Sequence, residues 1–145
     1  ALPILVKLKS ILLFLLFVTS AYADLDKAVE LAEQGKVNEG KLELIKIVKA
    51  ADAGDAKAQL EFGIMWATEG YWLWQDNERA IKWWLKSAEQ GYTPAQLMMG
   101  TVYLGGIRTK QDLDKSDEWF DKAISADESL VELIESLKAM NKTDN

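Results

Sequence analysis

Catalysis needs nucleophiles and bases, and this chain of 145 residues contains no histidine and no cysteine. The usual general base, the thiolate nucleophile and the common zinc-ligand sets are therefore missing. Carboxylates remain for acid–base work, and a glycosidase needs just two of them at the right separation. Glu61, Glu69, Asp76 and Asp112 are the candidates. Each has a simpler use on a helix surface or as a helix cap, and no Gly-rich phosphate loop or nucleophile elbow accompanies them. The inventory points away from an enzyme, with no cofactor and no metal expected.

Recognition of a partner is the second chemistry these residues could serve. Tyr71-Trp72-Leu73-Trp74 places four bulky apolar side chains in one turn, where exposing all of them is costly. Leu73 and Trp74 have an economical reading as covers folded back over helix ends. Tyr71, Trp72 and Trp74, with Arg108 in the corresponding later loop, are the partner-binding candidates, because aromatic and Arg side chains concentrate binding energy at interfaces. A further candidate surface is the acidic group Asp112, Asp114, Asp117 and Glu118, continued by Asp121. Lys110, Lys115 and Lys122 are interspersed among these acids, the pattern of a solvated helix face. If functional, the group would speed association with a basic partner and make binding sensitive to salt.

The elements that must position these residues are announced by a repeat. Gly54-Asp55-Ala56-Lys57-Ala58-Gln59-Leu60-Glu61-Phe62-Gly63 returns as Gly91-Tyr92-Thr93-Pro94-Ala95-Gln96-Leu97-Met98-Met99-Gly100. Trp83-Trp84-Leu85-Lys86 returns as Trp119-Phe120-Asp121-Lys122. A period in this range means stacked supersecondary units. In the first copy Ala56, Leu60, Gly63 and Ala67 form one helical stripe, and Ala58, Phe62, Met65 and Trp66 form a second beside it. Two apolar stripes let one helix pack against two neighbours. Gly63 and Gly100 cost about 1 kcal/mol each in helix propensity, which implies close approach of a partner helix. Asp55, Asp76, Asp112 and the pair Thr93-Pro94 read as helix starts, and Gly91 as a helix end.

Flanking segments extend the array. Leu25 to Gln34 and Leu42 to Ala53 form a degenerate first pair broken at Gly35. Leu130, Val131, Leu133, Ile134, Leu137 and Met140 line one face of a last helix, which would cap the stack. The expected fold is all-α: a right-handed α/α superhelix of antiparallel helix pairs, seven helices in all. Its divisions are 1–23 as leader, 24–53 as the degenerate pair, 54–90 and 91–127 as two repeats, and 128–145 as the capping helix and tail.

The leader reading comes from Lys7 and Lys9, the apolar run Ile11 to Val18, and Ala21-Tyr22-Ala23 before Asp24. This is the pattern of a secretory signal peptide cleaved after Ala23, and the apolar stretch is shorter than the roughly 20 residues that span a bilayer. The expected location is therefore the periplasm or the exterior, without stable membrane insertion. Cleavage leaves fifteen basic against twenty-three acidic residues, a net charge of −8. Such a surface excludes the basic footprint of a nucleic-acid binder. Absence of cysteine also excludes a disulfide scaffold.

These motifs resemble the Sel-one-like repeat, a relative of the tetratricopeptide repeat. The resemblance is carried by Ala56, Ala58, Gln59, Gly63, Trp66, Gly70, Gln75, Asp76, Ala80, Trp83, Trp84, Lys86 and Ala88-Glu89-Gln90-Gly91. The second copy matches at Ala95, Gln96, Gly100, Tyr103, Gly106, Gln111, Asp112, Trp119, Phe120 and Lys122. Where that pattern has a second loop glycine, this chain has Trp72 and Arg108. The resemblance implies a non-catalytic adaptor that binds a protein partner on its concave face and interhelical loops. The resemblance also implies an alternative, a periplasmic immunity protein that neutralises a basic toxin; a second alternative, a peptidoglycan or glycan binding module, comes from aromatic side chains that could stack on sugars. Two full repeats are few, and self-association could extend the stack.

Overall fold

The computed structural model describes residues 21–68 and 75–143. Among the described residues there are seven α-helices and no strand. They are α1 (Ala23–Glu33), α2 (Val37–Asp52), α3 (Ala56–Ala67), α4 (Asn77–Glu89), α5 (Thr93–Gly105), α6 (Leu113–Ala126) and α7 (Val131–Thr143). Consecutive helices pack as hairpins α1–α2, α3–α4 and α5–α6, each stacked on the next, and α7 closes the end against α5. The architecture is the expected α/α solenoid.

Three apolar clusters follow one another along the stack. Leu25, Ala28, Leu44, Ile47, Phe62 and Met65 join the first hairpin to α3. Leu60, Ala67, Trp84, Ala95, Met99, Val102 and Trp119 form the middle cluster, and Leu97, Leu104, Phe120, Leu130, Leu133 and Ile134 the last. Each helix pair thus completes its core with residues of the next pair, as the two stripes on one helix require.

The two central hairpins repeat their polar contacts as well as their apolar ones. Gln59 Nε2 donates to Ala51 O at 3.2 Å, and Gln96 Nε2 to Ala88 O at 3.3 Å. Each satisfies a carbonyl that the preceding helix end leaves without an intrahelical donor. Gln75 and Gln111 do the same for Ala67 O and Leu104 O. Asp55, Asp76 and Asp112 accept from the amides of Ala58, Arg79 and Lys115, so all three are caps as expected. Gly63 and Gly100 are the sites of closest approach. A Cβ on Gly63 would stand 2.5 Å from the Trp84 indole and 3.0 Å from Ala80 O, and one on Gly100 would overlap the Phe120 ring.

Four local expectations are corrected. Thr93 does not cap α5; Tyr92 precedes the helix and its carbonyl accepts from Ala95 and Gln96, while Pro94 has no amide to satisfy. The second helix begins at Val37 rather than Leu42, because Gly40 continues it. That glycine lets α2 approach α1 so closely that a Cβ would be 2.7 Å from Ala28 O. Val131 is 44% exposed, since the 3₁₀ turn Glu128–Leu130 sets the inward face as Leu130, Leu133, Ile134 and Leu137. Glu61, expected on a surface, is 1% exposed.

Candidate functional site

Trp84 organises the inner surface between the two central hairpins. Its indole lies against the backbone of Gly63 and is 3% exposed, and its Nε1 finds no acceptor among the described residues. Beside it runs a groove of about 310 Å³ lined by Ile64, Ala67 and Thr68 from the α3 side and by Met98, Thr101 and Val102 from α5. Ile107 and Arg108 form one rim, and Tyr22 lies along the other. The lining is chiefly apolar, and the indole nitrogen of Trp84 is turned to Gly63 rather than to the open groove. Such a lining suits a segment offering an apolar side chain.

Part of this surface is already covered by the chain itself. Ala21 is 1% exposed within the middle cluster, and Tyr22 packs against the same cluster. Burial holds the Tyr22 phenol well above its ordinary titration range, with Tyr92 and Glu61 adding to the effect. These two residues belong to Ala21-Tyr22-Ala23, the segment expected from the sequence to be a cleavage motif. Residues 1–20 lie outside the described residues.

Arg108 has φ 65°, a left-handed conformation costly for any residue with a Cβ. This explains the glycine of the repeat pattern at that place. Here Arg108 Nη1 instead donates to Asn77 Oδ1 at 2.9 Å, joining the loop after α5 to the start of α4. Tyr71, Trp72 and Trp74 fall outside the described residues.

The acidic candidates do not form one open site. Asp112 caps α6 and pairs with Lys115 at 3.3 Å, and the Lys115 amide holds its carboxyl below the usual range. Asp117 pairs with Lys138 at 2.7 Å and Glu118 with Lys122 at 2.9 Å. Asp114 lies in the exposed first turn of α6. Aromatic residues of the repeats also have cationic neighbours. Lys86 sits over Trp83 and Lys122 over Trp119, while Arg79 covers Trp66 and Lys115 covers Tyr103. The repeated aromatic-to-Lys spacing thus shields outer ring faces.

Glu61, named from the sequence as a carboxylate on a helix surface, is instead a buried anchor. Its Oε1 accepts from the amides of Asp24 at 3.2 Å and Leu25 at 3.3 Å, fastening the start of α1 to α3. Lys57 Nζ stands 3.9 Å from the same oxygen and bonds the Asp24 carboxylate at 2.5 Å. Desolvation raises the Glu61 carboxyl from 4.5 to about 6; Lys57 and the two amides oppose that rise, and Asp24 reinforces it. Aligning the two copies would have flagged it, because Met98 stands at the corresponding place. An acid where the sister copy is apolar indicates burial with a special partner.

Among the described residues no group of three metal-ligating side chains converges, and no helix is long and apolar enough to cross a membrane. Residues 56–92 and 93–128 each match the model of the Sel1 repeat. A Sel1 repeat protein from Oxalobacter formigenes is similar in structure at TM-score 0.56 and 31% identity, over 86% of this chain and 91% of that one. A protective antigen present in uropathogenic Escherichia coli strains, displaying an SLR fold, is similar at TM-score 0.54 and 35% identity. That match covers 57% of this chain, which spans only 18% of the antigen. No curated protein matches the chain.

Proposed function

The chain belongs to the Sel1 repeat family, and from that premise we propose that it is an exported, non-catalytic adaptor whose groove between α3 and α5 takes a segment of a partner protein. The observation that carries this reading is the burial of Ala21 in the middle cluster, with Tyr22 beside it lining the groove. Both would depart with a leader cleaved after Ala23. Their loss would uncover apolar surface around Trp84, Met98 and Val102. An apolar surface of that kind marks a binding site.

Arg108 at the rim and the Tyr71, Trp72 and Trp74 loop supply the outer contacts of the reading. A left-handed Arg where glycine is the easy choice is the kind of strain retained for a contact. The acids of α6 act at longer range. At a net charge of −8 after cleavage, they raise the encounter rate with a basic partner rather than hold it.

The test is capture from envelope extract with the processed protein beside a Met98→Asp variant and an Arg108→Ala variant. One stoichiometric protein retained by the processed protein, lost with Met98→Asp and weakened with Arg108→Ala, is the expected result. Equal retention by all three baits would place binding elsewhere.

A further inference from the structure

Resting on the export reading above, we propose that leader cleavage after Ala23 builds an ion pair inside the stack: the new α-ammonium of Asp24 against the buried carboxylate of Glu61. The Asp24 nitrogen already stands 3.2 Å from Glu61 Oε1 while it is part of a peptide bond. Hydrolysis of that bond adds one water. Ala23 leaves with the new carboxylate, and Asp24 keeps its nitrogen as an amine that takes up a proton. The nitrogen needs no movement to become the charged partner of Glu61.

The local charge balance calls for such a cation. Asp24, Glu43, Asp55 and Glu61 line the cleft at this point, against Lys46 and Lys57. Glu43 is occupied by Lys46 at 3.0 Å and by Lys27 at 3.1 Å. Lys57 is nearer to Asp24 than to Glu61, leaving the buried carboxylate with neutral amides as its short contacts. A buried carboxylate in that state is costly, and a close, hydrogen-bonded opposite charge is what lowers the cost. The raised Glu61 carboxyl reports the same deficit in the uncleaved chain. Tyr22 and Tyr92 also face this carboxylate, and Tyr22 departs with the leader.

The pair would also measure where cleavage occurs. Moving the chain start by one residue displaces the ammonium by up to about 3.8 Å, far enough to break a hydrogen-bonded contact. One event therefore clears the groove and fastens the start of α1.

The whole precursor, expressed with its leader in cells that process it, provides the test. Intact mass first gives the chain start; any residue other than Asp24 overturns the cleavage reading and this proposal with it. With Asp24 established, the α-amine is titrated by NMR in the processed protein, in Glu61→Gln, and in a precursor with one glycine inserted after Ala23. The expected α-amine pKa is at least about one unit above the ordinary 7.7–8.0, returning to that range in both variants. The inserted glycine leaves Glu61 intact, so it serves even where Glu61→Gln fails to fold. An α-amine titrating in the ordinary range in the processed protein overturns the ion pair and leaves the cleavage reading standing.

Discussion

A carboxylate stripped of water must recover its solvation from fixed donors, and in the uncleaved chain Glu61 recovers only part of it. Its folded carboxyl titrates at about 6 against an ordinary 4.5, so the folded state holds the proton more tightly than the unfolded one. The contribution of this group to stability is therefore fully present below about 4.5 and is lost as pH rises through 6. Thermal melts of the uncleaved protein at pH 4.5 and 7.5 check this. Glu61→Gln should remove that part of the pH dependence, and an unchanged difference would contradict the assignment. Arg108 supports a second prediction. Arg108→Gly relieves the left-handed backbone at the cost of an exposed hydrogen bond to Asn77, for a net gain of about 0.5 to 1 kcal/mol in denaturant melts. The same variant should weaken partner capture. At this scale the sequence was least legible. The capping aspartates were evident because a cap is local, whereas the burial of Glu61 depends on α1, which lies 36 residues away along the chain.

Helices and their contacts were far more legible, because hydrophobic spacing and duplicated glycines are properties of the elements themselves. Gly63 and Gly100 were expected to mark close approach, and Trp84 and Phe120 occupy those places. Gly63→Ala should therefore destabilise by about 1 to 3 kcal/mol, the range for overpacking a filled site, although alanine is the better helix former. A denaturant midpoint equal to or above that of the parent would contradict this packing. Gly40 escaped the same logic. It has no counterpart in a second copy, and a single glycine near a helix start cannot be told from a breaker by spacing alone. Val131 was misplaced for a related reason, since the 3₁₀ turn before it rotates the face that α7 presents. The glutamines at 59 and 96 show what duplication adds. Each spans eight residues back to a helix-end carbonyl, a duty visible only when two helices are set side by side.

At the scale of the whole molecule, the proposed function divides recognition between charge and surface. Acids on α6 have internal lysine partners at Asp112, Asp117 and Glu118, so in that reading they would contribute field rather than open contacts. Raising salt should slow association with a basic partner and leave the dissociation rate nearly unchanged, which surface plasmon resonance at two ionic strengths would resolve. In the proposed function the groove would supply the lasting contact, and Tyr22, which lines it, is the chain's own example of a side chain seated there. The most direct measurement is photo-crosslinking in living cells with benzoylphenylalanine placed at Met98, in the groove, or at Glu135, an exposed position on α7. The account predicts a discrete covalent adduct with one partner from position 98 and none from 135. Adducts from both positions alike, or from 135 alone, would contradict the groove as the recognition surface.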